Sequence, residues 1–272
     1  MRAYPHAPAP TTSHPSRTTS INRRRAAVSA FPASIIAVII AIMAAAPACA
    51  VDPPPDLAKR VAHRESETAH ERAQYAYTQS MRLQELDSRG AESGEYHETR
   101  EIIFSPDGNR TERFASDPVS RLKRLVLTPE DFADLRDIQP FVMTDDQLWN
   151  YDADYKGEEP VDGFDCFVLR IRPKHILSGQ RLFDGMLWVK EDDFSVIRTE
   201  GQAVPQIITT KQENLFPRFT TIRRKVNGYW FPASTSADDT LYFRTGPIRE
   251  KLMIRYNDYR RFGSETTIRF DQ

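Results

Sequence analysis

Apolar and polar residues alternate along most of the chain beyond residue 74, and this period of two predicts strands with one buried face. Tyr75, Tyr77 and Met81 fall on one side of the first such segment. Further strands are predicted over residues 95–105, 110–115, 151–156, 164–173, 181–190, 194–203, 216–226, 229–243, 248–261 and 266–270. Strands joined by short turns form an antiparallel meander, and a meander of this length and twist curls into an incomplete barrel. The sequence therefore predicts a mainly β fold of the α+β class.

Turn residues separate these strands. Asn227-Gly228 is the strongest hairpin signal, because both residues tolerate the positive φ of a two-residue type I′ turn. Pro106-Asp107-Gly108-Asn109 and Pro160-Val161-Asp162-Gly163 indicate two further turns. These signals support short connections between neighbouring strands.

Four segments have a helical pattern instead. Residues 56–74 follow three prolines, begin at the potential N-cap Asp56 and carry a weak apolar stripe. Pro118 begins a short predicted helix that runs through Leu122 and Leu125. Thr128 and Pro129 open another, as its cap and first residue. The last helix is predicted from the capping-box spacing of Thr144 and Gln147.

The first 50 residues have the pattern of an export signal. Arg23–Arg25 form a positive segment, 25 uncharged residues follow, and the strongly apolar part spans residues 35–46. This length suits a signal peptide and is short for a bilayer span of about 20 residues. Ala48-Cys49-Ala50 predicts cleavage between Ala50 and Val51, so that residues 51–272 form a single exported, periplasmic domain. Two alternatives stay open: a lipid-modified Cys49, which would associate the protein with the outer membrane, and retention of the segment as an anchor.

The charge balance argues against a nucleic-acid partner. The first 50 residues carry five arginines and no acidic residue, so the other 222 residues keep 32 basic and 38 acidic groups. Nucleic-acid-binding proteins usually present a basic patch to the phosphates. Cleavage would leave Cys166 as the one cysteine, which excludes an internal disulfide and a cysteine-based metal site. Its strand-like surroundings indicate a small buried core residue.

No motif in the sequence indicates catalysis. A phosphate-binding glycine loop and the zinc-protease and serine-hydrolase motifs are absent. His63 and His70 lie seven residues apart on the first predicted helix, whereas a metal-binding pair needs a spacing of three or four. His175 has no visible partner for base catalysis. We therefore expect a protein that is not an enzyme and uses neither a cofactor nor a metal, with an uncharacterised envelope hydrolase as the least favoured alternative.

A series of short motifs extends from residue 56 to residue 262. It comprises LTPEDF at 127–132, IQPF at 138–141, YKG at 155–157, VDGFDCF at 161–167, FDGMLWV at 183–189, NLFPRF at 214–219 and GYWFP at 228–232. The series resembles exported outer-membrane lipoprotein-sorting proteins, which share the fold of the lipoprotein carriers LolA and LolB. The resemblance implies an incomplete antiparallel β-barrel whose concave face is covered by helices. It also implies an enclosed apolar space, which holds lipoprotein acyl chains in the carriers.

Aromatic and aliphatic side chains supply the candidate binding site. A curled sheet has more concave surface than small helices can fill, which predicts a cavity for an apolar ligand beneath a helical lid. The expected lining residues are Tyr75, Tyr77, Met81, Leu122, Leu125, Phe132, Leu135, Phe167 and Trp188. The leading hypothesis is a monomeric, non-catalytic periplasmic carrier or binding protein for lipid, lipoprotein acyl chains or another hydrophobic ligand. The alternative is an envelope interaction or sensor module that contacts a protein partner.

Overall fold

The alternating segments form strands in the computed structural model, which describes residues 1–3, 53–104, 109–141, 143–210 and 212–262. The helices are α1 (Leu57–Arg72), α2 (Pro129–Asp137) and a 3₁₀ helix at Leu148–Asn150. In this part of the chain the strands are β1 (Arg2–Ala3), β2 (Tyr75–Leu86), β3 (Glu92–Phe104), β4 (Arg110–Ser120), β5 (Leu125–Val126), β6 (Tyr151–Val161), β7 (Phe164–Pro173), β8 (Leu182–Lys190), β9 (Val196–Val204), β10 (Ile207–Ile208), β11 (Glu213–Asn214), β12 (Phe219–Val226), β13 (Tyr229–Phe243) and β14 (Gly246–Arg261).

Ten strands build one antiparallel sheet in the order β4-β3-β2-β14-β13-β12-β9-β8-β7-β6. Most neighbours are consecutive in the chain, as in a meander. There are two exceptions. β12 pairs with β9 although β10 and β11 lie between them in the chain, and β14 pairs with β2 and so joins the end of the domain to its beginning. The sheet curls, but its edge strands β4 and β6 lie at opposite ends of the order, so the barrel is incomplete. The predicted fold class is confirmed.

The two faces of the sheet bury different side chains, as the period of two requires. The inner face holds the large core, to which β2, β7, β8 and β14 contribute together with both helices. The outer face carries a smaller apolar cluster of six buried residues: Val161, Cys166, Val168, Trp188, Ile197 and Trp230. The helices therefore pack on the same face as the main core, which is the predicted arrangement.

A buried ion pair fixes α1 on the inner face. Leu57 and Val61 bury the apolar stripe of the helix. Glu65, one turn further on, accepts two hydrogen bonds from the guanidinium of Arg223 on β12, at 2.8 and 3.0 Å. Both side chains are 1% exposed, and Arg223 also donates to the carbonyl of Phe141. The pair thus connects α1, β12 and the segment after α2 at one point.

The Asn227-Gly228 hairpin has the predicted backbone. Asn227 has a φ of 48° and Gly228 a φ of 92°, as a type I′ turn requires. A Cβ at position 228 would meet no atom within 4 Å, so only the backbone conformation opposes a larger residue. The Asn227 side-chain amide also donates to the Tyr75 hydroxyl at 2.7 Å.

We expect Gly228→Val to lower the free energy of unfolding by at least about 1 kcal/mol, because a β-branched residue is strained at positive φ. Urea denaturation measures the change. Lys225 lies in the exposed part of the adjoining strand, so Lys225→Val is the control. It should lower the free energy of unfolding by less than Gly228→Val does. Equal midpoints for Gly228→Val and the unmodified protein would show that the turn tolerates a side chain.

Two predicted helices are wrong. Pro118 does not begin a helix, because β4 continues to Ser120 and Leu125 lies in β5. A proline is tolerated in β4, since this strand is an edge of the sheet and its pairing with β3 is irregular near residues 97–99. Thr144 also starts no helix: its hydroxyl bonds to Asp146, and only the 3₁₀ turn at Leu148–Asn150 follows.

The predictions of α1 and α2 are confirmed, except that the N-cap of α1 differs from the expected form. Thr128 and Asp131 form a capping box at the start of α2, with Pro129 as the first helical residue. Asp56 occupies the N-cap position of α1, but it is left-handed and its side chain makes no capping hydrogen bond. Neither α1 nor any other helix in the described ranges is long and apolar enough to cross a bilayer. The export signal, the cleavage site at Ala50 and Val51, Cys49 and the strand predicted at 266–270 lie outside the described residues.

Candidate ligand-binding groove

Five of the nine predicted lining residues lie in the packed interior. Tyr75, Tyr77 and Met81 on β2, Leu135 on α2 and Phe167 on β7 are each at most 6% exposed. Their aromatic rings contact neighbouring rings: the centroids of Tyr75 and Phe231 lie 5.2 Å apart, and those of Tyr77 and Tyr259 5.0 Å apart. These side chains pack against one another and stabilise the core beneath the helices.

Trp188 does not lie with Phe167, and this expectation is wrong. Trp188 pairs with Val168 across β7 and β8, whereas Phe167 pairs with Val189. Adjacent residues of a strand face opposite ways, so Trp188 lies in the outer cluster. Its indole nitrogen donates to Glu159 at 2.9 Å, and the guanidinium of Arg198 lies 4.4 Å from its ring centroid.

The other three predicted residues come together in an open groove of about 400 Å³. Leu122 and Leu125 lie in the segment that connects β4 to α2, and Phe132 lies on α2. The groove is therefore bordered by a helix on one side and by the sheet edge β3–β4 on the other. Its lining residues are Tyr96, Arg100, Phe114, Pro118, Ser120, Leu122, Leu125, Val126, Leu127 and Phe132.

A buried carboxylate holds the connecting segment in place. Glu85 on β2 is 1% exposed and accepts hydrogen bonds from three consecutive backbone amides, those of Lys123, Arg124 and Leu125. Gly94 on β3 allows the close approach, because a Cβ there would lie 2.8 Å from the carbonyl oxygen of Arg121. The Glu85 carboxylate thus positions the leucines of the groove in a connecting segment whose one regular element is the two-residue strand β5.

The polar wall of the groove is balanced in charge. Arg100 lies between two aromatic rings, 4.6 Å from the centroid of Phe114 and 5.0 Å from that of Phe132. Its guanidinium pairs with Glu98 and Glu112, and Arg110 also pairs with Glu112, so two cations face two carboxylates. The Tyr96 hydroxyl donates to Glu98 at 2.6 Å. Burial, followed by the Glu98 carboxylate, raises the pKa of the Tyr96 hydroxyl, so the hydroxyl stays protonated. The wall therefore offers aromatic surface rather than a net charge to a ligand.

Other depressions suit an apolar ligand less well. One of about 480 Å³ beside α1 is lined by Arg60, His63, Arg64, Glu67, Asp193 and Phe194, most of which are charged. Cys166 is buried, and burial raises the pKa of its thiol to about 11, which matches its expected role in the core. No group of three potential metal ligands occurs within the described ranges.

The sequence alone did not identify part of the groove. Tyr96, Arg100, Phe114 and Leu127 line it beside the predicted residues. Tyr96 and Phe114 fall in predicted strands, but the alternation does not show that the Phe114 ring is 48% exposed at the sheet edge. Arg100 resembles any other charged strand residue in sequence, and its position between two rings depends on α2 packing beside β3 and β4.

No family model matches the chain, and no curated protein matches it. The chain is similar to several solved structures. A putative outer-membrane lipoprotein-sorting protein domain from Vibrio parahaemolyticus is 13% identical, with a TM-score of 0.36, over 74% of this chain and 93% of the other. A LolA superfamily protein from Nitrosomonas europaea is 14% identical, with a TM-score of 0.30, over 74% and 94%. A DUF1329 family protein from Desulfovibrio piger is 16% identical, with a TM-score of 0.37, over 74% and 95%.

Proposed function

We propose that the protein is a non-catalytic binding or carrier protein of the bacterial-type envelope, and that its groove binds a lipid, a lipoprotein acyl chain or another hydrophobic ligand. The observation that carries the proposal is the groove itself. Leu122, Leu127 and Phe132 are only partly buried there, and Phe114 is exposed, so apolar surface is available on a domain that buries most of its other large side chains. Surface of this kind, in a concavity, is typical of ligand sites.

The size of the groove fits a chain-like apolar ligand. Its volume of about 400 Å³ lies within the range of small-molecule sites. Burial of apolar surface contributes roughly 25 cal/mol per Å², which supports about micromolar binding of a long acyl chain after ordering costs. The groove opens at the sheet edge, so a ligand enters without disturbing the pairing of the central strands.

The predicted site residues divide into two groups in this proposal. Leu122 and Phe132 contact the ligand directly, and the fully buried Leu125 supports the groove lining from the core. Tyr75, Tyr77, Met81, Leu135 and Phe167 are buried in the packed interior and do not line the groove. Trp188, on the outer face, has no part in this binding mode. Export by cleavage between Ala50 and Val51 completes the proposal, since it places the domain where envelope lipids are.

We expect a fluorescent fatty-acyl probe to bind the protein saturably, and Leu122→Glu to weaken that binding at least about tenfold, because the carboxylate would lose water when the ligand covers it. Leu122 is chosen rather than the fully buried Leu125 so that the sheet persists, which circular dichroism checks. Leu177→Glu is the matched control, since Leu177 is 68% exposed and lies between β7 and β8, away from the groove.

Two outcomes would overturn the proposal. One is that the unmodified protein shows no saturable binding. The other is that Leu122→Glu and Leu177→Glu bind the probe equally well. The first outcome would favour an envelope interaction module, for which the exposed Phe114 and Val119 on the edge strand β4 offer a contact surface.

A further inference from the structure

Three large apolar side chains lie exposed at one end of strands β6 and β7. Trp149 is 71% exposed, Leu177 68% and Ile176 39%. Trp149 lies in the 3₁₀ turn before β6, and the other two lie in the connection from β7 to β8. The Lys174 amide donates to the Asn150 carbonyl at 2.8 Å and joins the two segments next to these residues. The three side chains therefore belong to one part of the surface.

The exposure of this tip, which comprises Trp149 and residues 174–180, is fixed by the backbone. Leu148 packs against the main core, and the next residue of the 3₁₀ turn lies outside it. In the connection, the Gln180 amide donates to the Leu177 carbonyl at 3.0 Å. The Leu177 amide donates in return to the Gln180 side-chain oxygen at 3.2 Å. These bonds close a turn that holds Leu177 away from the core, although large apolar side chains are usually buried.

We propose that the tip docks on the surface of a lipid bilayer, with Trp149 and Leu177 inserted at the level of the headgroups. A tryptophan suits this position because its ring is apolar while its indole N–H is polar. Binding of this kind grows with the apolar area that enters the interface, so a few side chains are enough for a reversible contact. A stable contact with a protein would bury about 800 Å² on each partner, which three side chains do not supply.

Charge supports this contact only in part. Lys174 is exposed, and residues 174–180 include no acidic residue, so the connection itself attracts anionic headgroups. Asp146 and Asp152 are exposed on either side of the 3₁₀ turn and offset that attraction. Insertion of apolar side chains therefore provides most of the affinity. Binding should persist at an ionic strength of about 0.5 M, where attraction between exposed charges is largely screened.

Tryptophan fluorescence of the full-length chain tests the contact. The probe is a vesicle of phosphatidylethanolamine and phosphatidylglycerol that also contains phosphatidylcholine brominated on its acyl chains, since bromine quenches tryptophans close to it. We expect the vesicles to quench about a third of the fluorescence, because Trp149 is one of three tryptophans and the other two, Trp188 and Trp230, are buried. Residues 35–46 are strongly apolar but contain no tryptophan, so they do not produce this signal. Trp149→Phe should abolish the quenching.

Leu177→Glu should reduce the quenching at least about threefold at equal lipid concentration, because a carboxylate must lose water to enter the interface. Ile208→Glu is the matched control. Ile208 is 63% exposed on β10, which pairs only with β11 in the described part of the chain, and its replacement should leave the quenching unchanged. Both variants alter exposed residues, so the fold should persist, and circular dichroism checks this.

Three results would overturn the proposal. The first is that vesicles do not quench the unmodified chain, and the second is that Leu177→Glu and Ile208→Glu are quenched equally. The third is self-association without vesicles that Leu177→Glu abolishes, since a second copy would then cover the tip. The groove is tested separately: Leu122→Glu should keep the quenching, and Leu177→Glu should keep binding of the fatty-acyl probe. Loss of one activity therefore leaves the other proposal standing.

Discussion

Replacing Glu65 with alanine is expected to lower the free energy of unfolding by about 3–5 kcal/mol, because the Arg223 guanidinium would stay buried without a counter-charge. Arg223 is 1% exposed and its two terminal nitrogens both depend on Glu65. The remaining hydrogen bonds, to the carbonyls of Phe141 and Val196, do not balance the charge. Urea denaturation followed by circular dichroism measures the loss.

Two further variants show whether burial causes the effect. Glu67 lies on the same helix, and its half-exposed carboxylate pairs with Arg64 at 2.7 Å. Glu67→Ala should therefore lower the free energy of unfolding by less than about 1 kcal/mol. The double variant Glu65→Leu with Arg223→Met should recover much of the stability, since no charge remains buried. Equal losses for Glu65→Ala and Glu67→Ala would contradict this account.

The strands could be predicted because the determining pattern is local. Each strand of the sheet buries one face, so apolar residues recur with a period of two wherever the chain pairs, as in β13 and β14. The hairpin at Asn227-Gly228 is also local, since two adjacent residues determine the backbone. The capping box of α2 needs only Thr128 and Asp131, three residues apart.

The sequence-based predictions were wrong or incomplete where contacts between distant parts of the chain determine the structure. Pro118 looks like the start of a helix, but pairing of β4 with β3 keeps it extended at the sheet edge. Trp188 is aromatic, as a cavity residue would be, but its place in the alternation puts it on the outer face. The ion pair of Glu65 with Arg223 spans 158 residues, and nothing near either residue in sequence indicates the other.

The groove was likewise predicted only in part, because its position depends on a residue far away in the sequence. The sequence identified Leu122, Leu125 and Phe132 as apolar residues near a helix, and the structure brings them together. They meet because Glu85, about 40 residues earlier in the chain, accepts the amides of residues 123–125. Glu85 falls on the buried phase of β2, together with Tyr77 and Met81, and so interrupts the apolar alternation. The sequence does not show which distant groups this carboxylate binds.

We expect Glu85→Leu to lower the free energy of unfolding by about 3 kcal/mol or more, because three backbone amides would lose their acceptor and each unsatisfied buried group costs about 1–3 kcal/mol. Leucine fills a similar volume, so the loss of hydrogen bonds is the main change. Segment 121–127 would no longer be held against β3, and the groove would lose its leucine wall. We therefore also expect the fatty-acyl probe to bind more weakly to this variant, at urea concentrations and temperatures where the sheet is intact.

Glu92→Leu and Glu85→Gln complete this experiment. The Glu92 side chain is 42% exposed and pairs with Arg82 on the surface, so its replacement should change stability by less than about 1 kcal/mol and leave probe binding unchanged. Glu85→Gln keeps one acceptor oxygen and should lie between Glu85→Leu and the unmodified protein in both measurements. If Glu85→Leu unfolds at the same urea concentration as Glu92→Leu, the three amides are satisfied in another way. If it is destabilised but binds the probe with unchanged affinity, the ligand does not rest on the leucines that Glu85 positions.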